Sequence, residues 1–435
     1  MKAAHKPSRF FTATSAVPSQ AARVDRQRRT LLGATAAAGL GALSLIDPMV
    51  RAAAWAAGSD APEKSEVKIG FIPLTDCASV VMASVMGFDQ KHGIKIIPAK
   101  EASWAGVREK LANGDLDCAH VLYGLIYGMQ LGLAGAQQDM AVLMGLNQNG
   151  QGITLSRQLH EAGVTDGASL AQKIASDSRQ YTFAHTFPTG THAMWLYYWL
   201  ASFGIDPGKM RNVTVPPPQM VANMRIGNVD GFCVGEPWNA RAIIDKLGFS
   251  AAASQDIWVD HPEKVLGTRG DFVERYPNTA RAVTAAVLEA SRWIDSSPDN
   301  VRKTAETIAA KSYVNTDVAT IMGRMLGQYE NGLGKSWTDA HAMRFHGDGA
   351  VNFPYLSDGM WFLTQHKRWG LLKNHPDYLA VARQVNRIDV YKQAAAAANV
   401  SLPAGESRAS TLLDGVRWDG SDPAGYADGF SIKAA

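Results

Sequence analysis

The chain reads as an α/β protein of two lobes, and three observations predict this. Its 435 residues exceed what one small core holds together. From residue 67 onward, short apolar runs alternate with stretches of helical spacing, the pattern of a parallel sheet covered on both faces. The third observation is an internal repeat. LANGDLDCAHV (Leu111–Val121) and MRIGNVDGFCV (Met224–Val234) share one layout: a helix end, Gly, a turn residue, Leu or Val, Asp, then a strand ending in Val. Gly114 and Gly227 stand where the chain leaves a helix, a position that favours a residue free to take positive φ. Asp117 and Asp230 follow three residues later.

The first lobe spans 67–151, the second 152–264, and 265–435 returns to the first. Val67–Pro73 is a short apolar strand. Cys77–His92 has helical spacing and stops at Gly93, and Ile94–Pro98 is the next strand. Ser103 caps a helix to Leu111 that Asn113-Gly114 closes. Cys118–Leu122 is a third strand. In the second lobe Tyr181–His185 is a strand. Thr191–Phe203 is a helix with Thr191 at its N-cap and His192 in its first turn. Met220–Ile226 is a short helix and Gly231–Val234 a strand. Beyond Gly267 the spacing turns helical, at Asn278–Ile294, Val301–Ala310 and Asp317–Tyr329. The Trp-bearing Met360–Gly370 and the Ala-rich Gln393–Ala398 follow. The turn-rich tail Val416–Phe430 folds back onto the body.

The first 54 residues read as a leader rather than as fold. Arg28-Arg29 precede a mild apolar stretch, Leu31–Ile46, and small-residue sites follow at Ala52–Ala56. This is the order of a secretory leader, and the paired arginines resemble the twin-arginine (Tat) type that exports folded proteins. Residues 1–54 hold eight Lys/Arg and two Asp/Glu, net +6. The whole chain is +3, so the remainder is about −3 and a nucleic-acid partner loses its support. A negative protein that binds an anion does so with local donors, not with its overall field.

Several chemistries lack their motifs. The sequence has no GxxxxGK[ST], GxSxG, HExxH or GxGxxG. Cys77, Cys118 and Cys233 show no metal spacing and read as buried thiols. No catalytic residue, metal site or cofactor is expected. Instead, strand ends carry hydrogen-bond donors. The turn TFPTGTH (Thr186–His192) runs into a helix start, and FCVGEPW (Phe232–Trp238) ends a strand with the bare backbone of Gly235. Trp104 follows the second strand, Gln151 stands where the chain passes between lobes, and Lys264 ends DHPEK. Taken singly, a Trp after a strand is core, a first-turn His is surface, and a lone Lys is solvated.

FIPLTDCA, KEASW, NQNGQGI, FPTGTH, PPPQMVANM, FCVGEPWNA and DHPEK, in this order and spacing, resemble the periplasmic nitrate-binding proteins of ABC transporters. That family has bicarbonate-binding relatives. The resemblance covers residues 66–400. It implies a type II periplasmic-binding architecture, two α/β lobes with a cleft between them. It further implies a nitrate or nitrite ligand, an inner-membrane permease and its ATPase as partners, and a periplasmic location. The ligand-binding residues it implies are Trp104, Gln151, His192, Gly235 and Lys264. Nitrate is a flat monoanion without a proton, so it calls for donors and no acceptors. On this reading Lys264 offers only donors and compensates one negative charge, which disfavours bicarbonate. Tyr123-Gly124 departs from the family's usual pair, so the segment is expected to line the cleft and alter the choice between nitrate and nitrite. The orientation of Glu236, beside Gly235, stays open. Two other readings remain: a nitrate-sensing regulator of the same fold, and a bicarbonate or cyanate receptor. An enzyme on the same fold would need a reactive His or Cys cluster.

Overall fold

Two five-stranded sheets organise residues 60–434, the part of the chain that this computed structural model describes. The twin-arginine leader lies outside the described residues. In chain order the strands are β1 (Glu66–Phe71), β2 (Lys95–Lys100), β3 (Cys118–Leu122), β4 (Met140–Gly145), β5 (Gln151–Ser156), β6 (Thr182–His185), β7 (Arg211–Thr214), β8 (Gly231–Gly235), β9 (Gly248–Ala253) and β10 (Lys264–Arg269). One sheet has the order β2-β1-β3-β10-β4 and the other β7-β6-β8-β5-β9.

The sheets are mixed, which corrects the expectation of parallel ones. β1 pairs parallel with β2 and β3, and β6 with β7 and β8. In each sheet the fourth strand runs against its neighbours: β10 beside β3 and β4, β5 beside β8 and β9. The reason is connectivity. A strand that follows a crossover helix re-enters at the same sheet end and comes out parallel. β5 and β10 instead arrive directly from the other sheet and enter from the opposite end.

The repeat is a structural one. Leu111–Val121 and Met224–Val234 end in β3 and β8, which hold the same place in their sheets. Gly114 and Gly227 take φ of 87° and 76°. Asp117 Oδ2 accepts from Lys68 N on β1 at 2.9 Å, and Asp230 Oδ2 accepts from Thr182 N on β6 at 2.8 Å. Each carboxylate satisfies a backbone N–H at a strand start and is paired by a cation, Lys64 or Arg179.

Other elements keep their type and shift their ends. The expected helix Cys77–His92 breaks at Gly87 (φ 72°) into Ala78–Val85 and Phe88–Lys91. Ser103 caps Trp104–Asn113 by accepting from Gly106 N. The helix after β6 is Thr191–Ser202, and its N-cap is Gly190, not Thr191. A Cβ on Gly190 would meet Leu122 Cδ1 at 2.6 Å, so a larger residue here would have to displace the Leu122 side chain. The segment 265–435 does not keep to the first sheet. The long helix Pro277–Asp295 packs on Ala78–Val85, but Asn331 O accepts from Ser250 N on β9. Trp361, on helix Leu356–Arg368, stacks on Trp195 at 4.7 Å. The tail folds back as expected: buried Trp418 donates its Nε1–H to Ser357 O.

Helix Tyr123–Gln130 lies close under the loop before Gly190. A Cβ on Gly124 would come within 2.5 Å of Thr189 O, whereas one on Gly106 meets nothing nearer than 3.6 Å. Gly124→Ala is therefore expected to cost about 1–3 kcal/mol through overpacking. Gly106→Ala, inside a helix, is expected to stabilise by about 0.5–1 kcal/mol. Urea-denaturation midpoints of the two variants check this contrast, and equal shifts would refute it.

Candidate anion-binding site

The carboxyl ends of the parallel strands and the amino ends of the two crossing strands share one edge of each sheet. That geometry delivers the expected residues. Trp104 opens the helix after β2, His192 is the second residue of the helix after β6, and Gly235 ends β8. Gln151 is the first residue of β5 and Lys264 the first of β10. All five are buried.

They meet in one cluster. The Lys264 ammonium stands 5.6 Å from the Trp104 ring centroid, within cation–π range. His192 Nε2 lies 2.5 Å from Gln151 Oε1, and His192 Nδ1 lies 2.6 Å from Thr186 Oγ1. With Nε2 protonated, His192 donates to the amide oxygen and accepts from the Thr186 hydroxyl. That leaves the Gln151 NH2 group free to turn toward a ligand. A Cβ on Gly235 would lie 2.9 Å from Gln151 Oε1 and 3.3 Å from Asp76 Oδ2, so the strand end approaches the cluster without a side chain.

Three further residues belong here that sequence reasoning missed. Asp76 Oδ2 accepts from Lys264 Nζ at 2.8 Å, and Asp76 Oδ1 is 2.6 Å from His120 Nε2. Lys264 Nζ also contacts Glu263 Oε2, and Glu263 Oε1 is 3.5 Å from His192 Nε2. Asp76, His120 and Glu263 have no solvent exposure. Asp76 and Glu263 sat inside the motifs FIPLTDCA and DHPEK, but nothing in their spacing joined them to each other. They correct the reading of Lys264 as a cation with spare charge, because two carboxylates already face it.

The electrostatics follow from burial and these contacts. Burial would raise Asp76, but the adjacent Lys264 and His120 outweigh it and hold the carboxyl well below the usual range. Burial pushes Glu263 up to about 7; Lys264 offsets part of that push and Asp76 adds to it. Lys264 stays an ammonium, since Asp76 and Glu263 overcome its desolvation. Burial lowers both His120 and His192, so each is a neutral imidazole near neutrality.

Two donors in the cluster have no partner: Trp104 Nε1 and the Gln151 Nε2 amide. Thr75 Oγ1 is likewise buried and unpartnered. A buried polar group without a partner costs about 1–3 kcal/mol, so several of them around one ammonium mark a place for an acceptor. Tyr123 and Glu236 do not supply one. Tyr123 Oη accepts from Asn386 Nδ2 at 2.7 Å and its ring packs on Phe362, so the pair Tyr123-Gly124 does not act on the cluster through its side chain. Tyr123 N donates to Glu263 O at 3.3 Å. Glu236 pairs with Arg324 at 3.1 Å and accepts from Ala240 N.

A family model described as the NMT1-like family matches residues 60–309. The chain belongs to this family. Within it, this NMT1-like chain is 39% identical over 403 residues to the nitrate/nitrite binding protein NrtA of Nostoc sp., covering 89% of this chain and 90% of that one. The crystal structure of the periplasmic nitrate-binding protein NrtA from Synechocystis PCC 6803 superimposes with a TM-score of 0.82 at 35% identity, covering 86% of this chain and all of that one. The bicarbonate-binding protein CmpA of Synechococcus elongatus is 30% identical over 406 residues, covering 87% of this chain and 90% of that one. The fold is thus the two-lobe architecture of periplasmic binding proteins, and these relatives are named as binding proteins, not enzymes.

Buried histidines set the acid stability of this NMT1-like chain. His185 and His366 are lowered to about 4 and His261 to about 3, all by burial, and His120 and His192 are lowered too. As pH falls below about 6.5 the unfolded chain binds protons at these sites before the native chain does, and at His185, His366 and His261 the difference persists to about pH 4. Glu263, raised to about 7 in the native state, opposes them through this window, and Asp89, Glu236, Asp256 and Asp358, also raised by burial, oppose them toward its acid end, where ordinary carboxyls titrate. Native stability is therefore expected to fall as pH drops from about 6.5 toward about 5, where the histidines outnumber the one carboxyl that titrates with them. Urea midpoints across that window check the sign, and a flat profile would refute it.

Proposed function

We propose that the chain is a solute-binding protein that captures nitrate, and nitrite, and hands the anion to an inner-membrane ABC permease and its ATPase. In this reading residues 1–54 are a twin-arginine leader and the protein works in the periplasm. One lobe is built on 67–151 and the other on 152–264, with 265–435 packing on the first and reaching the second at Asn331 and Trp361. Trp104, Gln151, His192, Gly235 and Lys264 hold the anion, His192 chiefly by orienting Gln151. Neither a metal nor a cofactor takes part. Lobe closure around the anion marks the loaded state.

The observation that carries the proposal is the pair of unpartnered donors, Trp104 Nε1 and Gln151 Nε2, beside a buried ammonium. Hydrogen bonds to a charged partner are worth about 1.5–3 kcal/mol each. A few of them, less closure and desolvation, reach the roughly −8 kcal/mol of micromolar binding. The relatives named for nitrate and nitrite, at 39% and 35% identity, support the same anion.

A bicarbonate receptor is the second reading, and one observation favours it. Glu263 Oε1 is a buried oxygen without a hydrogen-bond partner, and a bicarbonate O–H could donate to it. A thermal-shift series with nitrate, nitrite, bicarbonate, cyanate and sulfate separates the two, because a ligand that binds only the native state raises Tm. Nitrate and nitrite are expected to raise it, in the presence of chelator as in its absence. A shift with bicarbonate alone would overturn the nitrate reading.

Trp104→Phe keeps the ring and deletes one donor, so nitrate affinity is expected to fall about 10- to 100-fold with little change in Tm of the free protein. Lys264→Glu is expected to abolish nitrate binding. Calorimetry that finds unchanged affinity in either variant would remove that residue from the site.

A further inference from the structure

The cluster's charge count does not suit an incoming anion. Asp76, Glu263 and Lys264 have no solvent exposure, and Lys264 Nζ touches both carboxylates. With neutral imidazoles at His120 and His192, two carboxylates against one ammonium leave the buried cluster at −1. A nitrate placed among them makes it −2, and a net buried charge of that size is costly without further compensation. One proton restores the original balance.

The geometry identifies where that proton goes. Asp76 is met on both oxygens, by Lys264 on Oδ2 and by His120 on Oδ1. His192 has both ring nitrogens engaged, by Thr186 and Gln151. Two acceptors in the cluster are bare, His120 Nδ1 and Glu263 Oε1. A proton on His120, which already donates Nε2–H to Asp76, would set a second cation beside Lys264, which opposes it. Glu263 Oε1 lies 3.5 Å from His192 Nε2, next to the donors of the site. The other groups that face it do not neutralise it: Lys264 is shared with Asp76, the Thr191 hydroxyl carries no charge, and the Cys233 thiol on β8 is itself pushed up by burial and by Glu263. His185 and His261, further out, are uncharged near neutrality.

We propose that Glu263 is a further ligand-binding residue that takes up one proton from solvent as nitrate enters, and that its Oε1–H joins the donors facing the anion. The inference rests on the nitrate reading above. The proton comes from water before closure and returns to it on release, so no other reactant is needed. The residue sets specificity as well as affinity. Protonated, Glu263 is a donor and suits an anion with no hydrogen of its own; ionised, it is an acceptor and opposes one. That its ordinary carboxylate range is displaced upward by burial is consistent with this role.

The test is calorimetric titration of the full chain with nitrate at about pH 6 and about pH 8.5, each in two buffers of different ionisation enthalpy. About one proton per nitrate is expected to be taken up at the higher pH and close to none at the lower. The apparent Kd should rise about tenfold per pH unit above roughly pH 7. Glu263→Gln, which fixes a neutral side chain of the same shape, should bind nitrate with no proton uptake and no pH dependence across the range. Nitrate binding without proton uptake at the higher pH would overturn this inference and leave the nitrate reading standing. Uptake that persists in Glu263→Gln would move the proton elsewhere and overturn the role of Glu263. If that variant does not fold, the proton count of the unmodified chain decides on its own. Absence of nitrate binding at every pH would overturn the nitrate reading and this inference together.

Discussion

An ammonium taken out of water must be met by negative charge, and the Lys264 side chain is wholly out of water. Much of the site answers that requirement. Asp76, on the short turn Thr75–Cys77 after β1, and Glu263, just ahead of β10, converge on Nζ. His120 on β3 then completes Asp76. These contacts tie β1, β3 and β10 together at one sheet edge through charge as well as through the ladder. The donors of the second sheet, Gln151 and the end of β8, close over them. Removing one member of such a set leaves another charge buried and alone, which is why the cluster behaves as a unit.

What could be read from the sequence divides along physical lines. Local rules carried far. Ser103 caps its helix, Gly114 and Gly227 leave theirs with positive φ, and Asp117 and Asp230 tether strand starts in both sheets, because each depends only on near neighbours. The five proposed contacts came from motif resemblance, and the structure gathers them. Long-range facts were not legible. Strand direction in β5 and β10 depends on where the chain comes from, and no periodicity records that. Nor does any spacing join Asp76 to Lys264, 188 positions apart. Glu236 could not be placed for the same reason: its partner, Arg324, lies in a part of the chain that motif reading left blank.

The comparison with binding proteins gives the cluster a context. An apolar pocket with a single cation would accept many anions. A cluster that meets its cation with two carboxylates has no spare positive charge, so small differences in what an anion brings weigh heavily. NrtA and CmpA, named for nitrate/nitrite and for bicarbonate, both align with nearly the whole of this chain.

The crossing strands have a consequence for how the chain is made. Among the described residues β4 has no strand partner except β10, and β10 also separates β4 from β3. As the chain emerges from the ribosome, β1 to β4 come first, yet their sheet has an empty slot. All strands of the other sheet are synthesised before the missing one. The lobe begun first is thus the lobe finished last, and until Lys264–Arg269 arrives it presents two open edges. A nascent chain of this design must be held in solution until its late strand appears, and a truncated message ending before Lys264 would yield an aggregating fragment rather than a half-protein.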